Sequence, residues 1–160
     1  MILVTVGTHH QPFDRLVAAA TTLAGAGEEV VVQRGCSTVS PTGCTVVDQV
    51  DPAQLERWMD QARIVILHGG TSSFLQARAL GHVPVVVPRR ACLGEHVDDH
   101  QVEFAASIAP GEAVVAEPED LASVVAGWSA ARGAPRPPTP FAERLGALVQ
   151  GLVRARRERT

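Results

Sequence analysis

The stretch from Ile64 to Gln101 restricts the fold more than any other part of this chain. It reads IVILHGGTSSFLQARALGHVPVVVPRRACLGEHVDDHQ, two apolar runs separated by a glycine turn and one helix's worth of residues. Ile64 to Leu67 is too short for a helix and carries no polar side chain, which suits a strand buried on both faces of a parallel sheet. His68, Gly69 and Gly70 follow, then Thr71, Ser72 and Ser73, any of which can open a helix. Phe74, Leu75, Ala77, Ala79 and Leu80 supply an apolar helical face, and Gly81 stops it. Val83 to Val87, interrupted by Pro84, is the next buried strand. Strand, glycine turn, helix and strand make a βαβ unit whose turn points free backbone N–H groups beyond the strand end. Such a turn favours an anion, most often a phosphate. The plainer role for these glycines is tight packing of the turn.

The rest of the chain repeats the unit. Ile2 to Val6 reads as a strand with the turn Gly7-Thr8-His9-His10-Gln11-Pro12, and Phe13 to Leu23 as a helix. Glu29 to Gln33 is a strand, Arg34 to Gly43 a loop, Thr45 to Val47 a short strand, and Pro52 to Gln61 a helix opened by its proline. Beyond the central unit, Glu95 to Ala106 is expected to be helical, Ala113 to Val115 a strand, and Pro118 to Ala131 a helix. Gly133 to Pro140 carries four prolines in eight residues and reads as a stiff linker. Phe141, Leu145, Leu148, Val149, Leu152 and Val153 mark an amphipathic final helix, which packs on the domain or docks on a partner. It ends in the basic run Arg154-Ala155-Arg156-Arg157-Glu158-Arg159, a charge pattern suited to an anionic membrane surface. If it docks, deleting 141–160 leaves a folded protein that no longer pairs.

Alternating βα units predict an α/β fold, a doubly wound parallel sheet of Rossmann-like type in residues 1–132. At 160 residues the chain has the length of one domain. A formal charge of −3 gives no footing for nucleic acid. Three cysteines without metal-ligand spacing, and a start that runs directly into a strand, fit a reducing cytoplasm. No apolar stretch approaches the ~20 residues of a spanning helix, so membrane association is expected to be peripheral, through a partner or a surface helix.

In such sheets ligands sit beyond the carboxyl ends of the strands, where the winding reverses. This places Gly7 to Gln11, His68 to Ser73 and Arg89 to Gln101 on one rim. His96 and His100, four apart with Glu95, Asp98 and Asp99 nearby, also permit a metal-site reading, that of a metal-dependent hydrolase.

Two segments carry a resemblance. MILVTVGTHHQPFDRLV and HGGTSSFLQARALGHVPVVVPRRACLGEHVDDHQVEFA resemble the short bacterial exopolysaccharide glycosyltransferase subunits and the catalytic subunit of the dolichol-linked N-acetylglucosamine transferase. Both are similar to the C-terminal domain of family 28 glycosyltransferases. The likeness runs over about Met1 to Ala105. It implies the donor half of a two-domain GT-B enzyme that transfers a sugar from a UDP-sugar with inversion to a lipid-linked or polysaccharide acceptor. It also implies a membrane-associated acceptor-binding partner, or a second copy, and no bound metal or other cofactor.

Carried onto this chain, Gly7, Thr8, Gly69, Gly70, Thr71, Ser72 and Ser73 are expected at the diphosphate, with His68 or Arg89 adding positive charge. Gln76 falls where longer relatives meet the ribose. Glu95, Asp99, His100 and Gln101 are expected around the donor sugar. His9 is the candidate base for the acceptor hydroxyl, with His68 as the second catalytic candidate. His68 as a brace of its turn, and Asp98 and Asp99 as a helix N-terminal charge pair, are the blander roles. Relatives usually carry Gly at position 72 and an acidic residue at position 76. These departures favour, as the alternative, a non-catalytic subunit that binds a sugar nucleotide or a partner.

Overall fold

The computed structural model describes residues 1–25 and 27–128. The expected linker at 133–140, the final helix at 141–153 and its basic run lie outside the described residues. The strands are β1 (Ile2–Thr5), β2 (Val30–Gln33), β3 (Thr45–Val47), β4 (Ile64–His68), β5 (Val85–Val87) and β6 (Val114–Val115). The helices are α1 (Asp14–Ala24), α2 (Pro52–Gln61), α3 (Thr71–Ala79), α4 (His100–Ser107) and α5 (Leu121–Ala126). The strands form one sheet in the order β3-β2-β1-β4-β5-β6, with parallel pairing throughout. This is the doubly wound, Rossmann-like arrangement that the alternating pattern predicts.

Alternation along each strand divides the core in two. Ile2, Val4, Val30, Val32, Ile64, Ile66, Val85 and Val87 face Leu16, Val17, Ala20 and Leu23 of α1, and Leu121 and Val125 of α5. Leu3, Val31, Val65, Leu67 and Val86 face Met59 of α2, Phe74 and Ala77 of α3, and Ala105 of α4. Strands buried on both faces need apolar side chains at every position, which is why these segments read as unbroken aliphatic runs. The winding reverses between β1 and β4, whose register pairs Ile2 with Ile64 and Thr5 with Leu67.

Local chemistry sets the helix ends. Asp51 accepts a hydrogen bond from the Gln54 amide at 2.9 Å and Pro52 occupies the first turn of α2. Asp14, at the start of α1, accepts from the Thr38 amide and hydroxyl, both at 2.7 Å, tying the loop after β2 to the helix. Two expected elements differ. Residues 95–99 are bends, preceded by a 3-10 turn at Ala91–Leu93, and α4 begins only at His100. Asp98 and Asp99 spend their carboxylates on the His100 and Ala91 amides, a local alternative to helical bonding. Within the described residues, the helix expected from Pro118 opens as a 3-10 turn at Pro118–Asp120 and ends at Ala126, capped by Gly127. No helix among the described residues is long and apolar enough to cross a membrane.

Candidate functional site

All six strands run the same way, so the turns after β1 and β4 emerge at the same end of the sheet. Between them, at the reversal of winding, lies a cleft of about 440 Å³. Thr5, Gly7 and Thr8 line it from the first strand and its turn, and His68, Gly70, Thr71, Ser72 and Ser73 from the fourth and the start of α3. Gln33, Gln49, Val50 and Leu55 close the remaining side. Ligands of open parallel sheets sit at this kind of place.

The two glycine turns are built around His68. Gly7 has φ +73°, and a Cβ on it would meet His68 Cε1 at 2.5 Å. A Cβ on Gly70 would meet His68 Nε2 at 2.3 Å. Both turns therefore need glycine to hold the imidazole between them. Gly70 is also the N-cap of α3 and, lacking a side chain, caps nothing. The first amides of a helix have no intrahelical acceptor, and here they open into the cleft with the positive end of the helix dipole. An anionic oxygen suits that position.

His68 Nδ1 is buried without a hydrogen-bond partner. Burial, helped by the nearby Arg89 cation, pushes the imidazole down to about 4, against a partial opposing contribution from the Thr5 backbone. The ring is thus neutral at physiological pH. In that state it offers a ligand a neutral ring nitrogen.

Gln33 is a residue that the sequence reading missed. Its Oε1 accepts from the Thr5 hydroxyl at 2.6 Å, and its Nε2 donates to the Gly7 and Asp48 carbonyls, each at 3.0 Å. It locks the β1 turn to the ends of β2 and β3. The available signal was a lone polar residue closing a valine run, an amide where a fully buried strand offers no solvent. Gln49, Val50 and Leu55 carried no such mark.

The third rim segment goes elsewhere. Arg89 is 0% exposed. Its Nη1 donates to the carbonyls of Gln11 at 2.8 Å, Glu95 at 2.9 Å and Pro12 at 3.3 Å, and its Nη2 to Val6 at 2.9 Å. The guanidinium lies 4.8 Å from the Phe13 ring centroid. Desolvation pushes it down to about 10, still fully charged at neutral pH. It stitches the β1 turn to the loop after β5 from behind the cleft, so any effect on a ligand is through its field.

Glu95 is buried too, accepting from Arg15 Nε and Nη2 at 3.0 and 3.1 Å and from the Arg90 amide at 2.9 Å. Gln101 is 3% exposed, accepts from the Arg89 amide at 3.3 Å and packs on Gly69. Asp99 accepts from the Ala91 amide at 2.8 Å, and His100 pairs with Asp98. Neither these residues nor Gly69 and Gln76 line the cleft.

His9 stands outside the lining, between the rings of His10 and His96. Its Nδ1 accepts from the Gln11 amide at 3.2 Å. Desolvation first, then the His96 and His10 imidazoles and the Arg89 cation, hold it below the usual histidine range. A neutral ring whose Nδ1 lone pair is engaged carries its hydrogen on Nε2. In this arrangement it presents a donor, where a general base needs a free lone pair.

Comparison with family models matches residues 1–126 to the glycosyltransferase family 28 C-terminal domain. Among solved structures, CalG4, the calicheamicin glycosyltransferase, is similar with a TM-score of 0.57 and 21% identity over 82% of this chain and 34% of that one. MurG of Acinetobacter baumannii is similar with a TM-score of 0.54 and 18% identity over 77% of this chain and 40% of that one. The chain thus spans well under half the length of either structure, and at these identities the likeness is one of fold. A search of curated proteins finds no match.

Proposed function

The chain belongs to the glycosyltransferase family 28 C-terminal domain family, and from that premise we propose that it is the donor-binding part of an inverting glycosyltransferase that uses a UDP-sugar. The observation that carries the proposal is the cleft at the reversal of winding, where the Gly7 turn and the uncapped start of α3 face one another. A diphosphate set there would accept from the first amides of α3 and from the Thr71 and Ser73 hydroxyls. As the bond to the sugar breaks, negative charge grows on the β-phosphate. Donors already fixed in place stabilise that charge without reorganising. Gln33, through the Gly7 carbonyl, positions the opposite wall.

The acceptor is a lipid-linked or polysaccharide hydroxyl, and its binding site is the contribution of a partner protein or a second copy of the chain. The hydrogen bond to His9 Nδ1 favours a base from that second half. A membrane-associated partner would bring the domain to the membrane surface.

A calorimetric panel of UDP, UDP-sugars, TDP-sugars and GDP-sugars tests the reading. UDP and at least one UDP-sugar should bind with one site per chain. Ser72→Asp, which adds a negative charge at an exposed position of the helix start, should weaken UDP at least about tenfold. Absence of binding by every nucleotide, or UDP affinity unchanged in Ser72→Asp, would refute it. A second reading, donor binding without turnover, is favoured by Ser72, whose side chain occupies the cleft wall. Binding that persists with no transfer, even with an acceptor-binding half supplied, would select it.

A further inference from the structure

Among the described residues, a group of metal-capable side chains lies outside the cleft, in a row of four imidazoles and a carboxylate on the same rim. His10 stacks on His9 with ring centroids 4.4 Å apart, His9 lies 4.2 Å from His96, and His96 lies 4.5 Å from His100. Asp98 stands between the last two. Its Oδ1 is 3.5 Å from His96 Nδ1 and hydrogen-bonded to His100 Nδ1. The His96 side chain is 9% exposed, and its Nδ1 is buried without a hydrogen-bond partner. That nitrogen meets the Asp98 carboxylate only in a loose ion-pair contact, and an ion between the two would bind both.

We propose that His96, Asp98 and His100 form a binding site for a divalent transition-metal ion of the zinc or nickel class. One ligand atom from each residue lies within 4.8 Å of the others. Bonds of about 2.0–2.1 Å to one ion would bring the ligand atoms to roughly 3.3 Å apart. Asp98 and His100 are exposed, so rotation of their side chains between staggered rotamers can close the set. Two imidazoles and one carboxylate suit zinc, nickel or copper, whereas magnesium and calcium take oxygen ligands. Three protein ligands leave a coordination position for water or an anion.

Metal binding needs the imidazoles unprotonated. The ion would also have a mechanical effect. Residues 95–99 form no regular element. They are anchored at one end by Glu95 on Arg15 and at the other by Asp99 on the Ala91 amide. An ion held by three residues of this loop would stiffen it, next to the β1 turn from which Gln11 Nε2 donates to the Gly94 carbonyl at 3.1 Å. The ligands do not line the nucleotide cleft, so this site stands or falls independently of the proposed function.

The test uses the full chain stripped with a chelator, titrated calorimetrically with Zn²⁺ near pH 7.5, and with Co²⁺ followed by visible absorption. One ion per chain is expected, with a cobalt d–d band and no competition from Mg²⁺ or Ca²⁺. His96→Ala, His100→Ala and Asp98→Asn should each weaken binding at least about tenfold, and lowering the pH to about 5.5 should weaken it further. His10→Ala should stay within about threefold. Asp98→Asn is exposed and nearly isosteric, which keeps the test valid if His96→Ala misfolds. No saturable Zn²⁺ binding below about 1 mM, or wild-type affinity in Asp98→Asn and the His96→Ala/His100→Ala double variant, would overturn the proposal.

Discussion

His68 and Arg89 are neighbours with opposite protonation states, and both follow from burial. His68 gives up its proton because neither turn offers a charge partner, and its folded value of about 4 lies below the 6.5 of an exposed imidazole. Between pH 7 and 5 the unfolded chain takes up a proton that the native His68 refuses, so stability falls as the pH drops. This group alone should contribute about 2 kcal/mol to that loss, with no further contribution below about pH 4. His9 and His96, also held low, push the same way. The diagnostic is therefore a comparison. Urea midpoints of His68→Gln should fall less between pH 7 and 5 than those of the wild type, and identical slopes would contradict the assignment.

Arg89 keeps its charge because four carbonyls replace water around it. Lysine is charged but cannot span the same fork. Arg89→Lys should therefore cost about 3 kcal/mol in urea unfolding, although a guanidinium bound to carbonyls makes no ion pair with a substrate.

At the scale of elements, the contact between the β4 turn and α4 shows why the first glycine of that turn matters. A Cβ at Gly69 would lie 2.9 Å from Gln101 Cβ and 3.0 Å from the Gln101 carbonyl oxygen. Gly69→Ala should destabilise by about 1–3 kcal/mol, seen as a lower thermal midpoint. The first turn of α3 is free of that clash, so the variant should bind UDP with near wild-type affinity under folding conditions, which separates packing from ligand contact at adjacent glycines. The loop before α4 repeats the lesson. Its sequence has helical spacing from Glu95, yet Glu95 is drawn into the Arg15 and Arg90 contacts and the aspartates bond to local amides, so the helix starts five residues later.

At the scale of the whole molecule, the chain covers 34% of CalG4 and 40% of MurG. A domain of this kind can hold a donor without holding an acceptor. Saturating UDP at about a hundred times its dissociation constant adds about 2.7 kcal/mol of stability, which should raise the thermal midpoint by about 5–10 °C. Transfer from a UDP-sugar should be undetectable for the chain alone and appear when a second, acceptor-binding chain is added. Turnover by the isolated monomer would refute the need for a partner.

Strand and helix positions were legible because they depend on local periodicity. Thr45 to Val47 and Pro52 to Gln61 were expected with the bounds of β3 and α2, since a short β-branched run and an aspartate-proline helix start are decided within a few residues. The parallel order followed from alternation, and with it the common end of the β1 and β4 turns. Which polar side chains would face the cleft was not legible in the same way. Arg89, Glu95 and Gln101 look like ligand contacts as a string of polar residues after a strand. Only the packing of three loops shows that they engage backbone carbonyls and amides and, for Glu95, the Arg15 guanidinium. Gln33 shows the converse, a lone amide whose hydrogen bonds span residues 5, 7 and 48. Periodicity is a property of neighbours in sequence, whereas the satisfaction of a buried polar group is a property of neighbours in space.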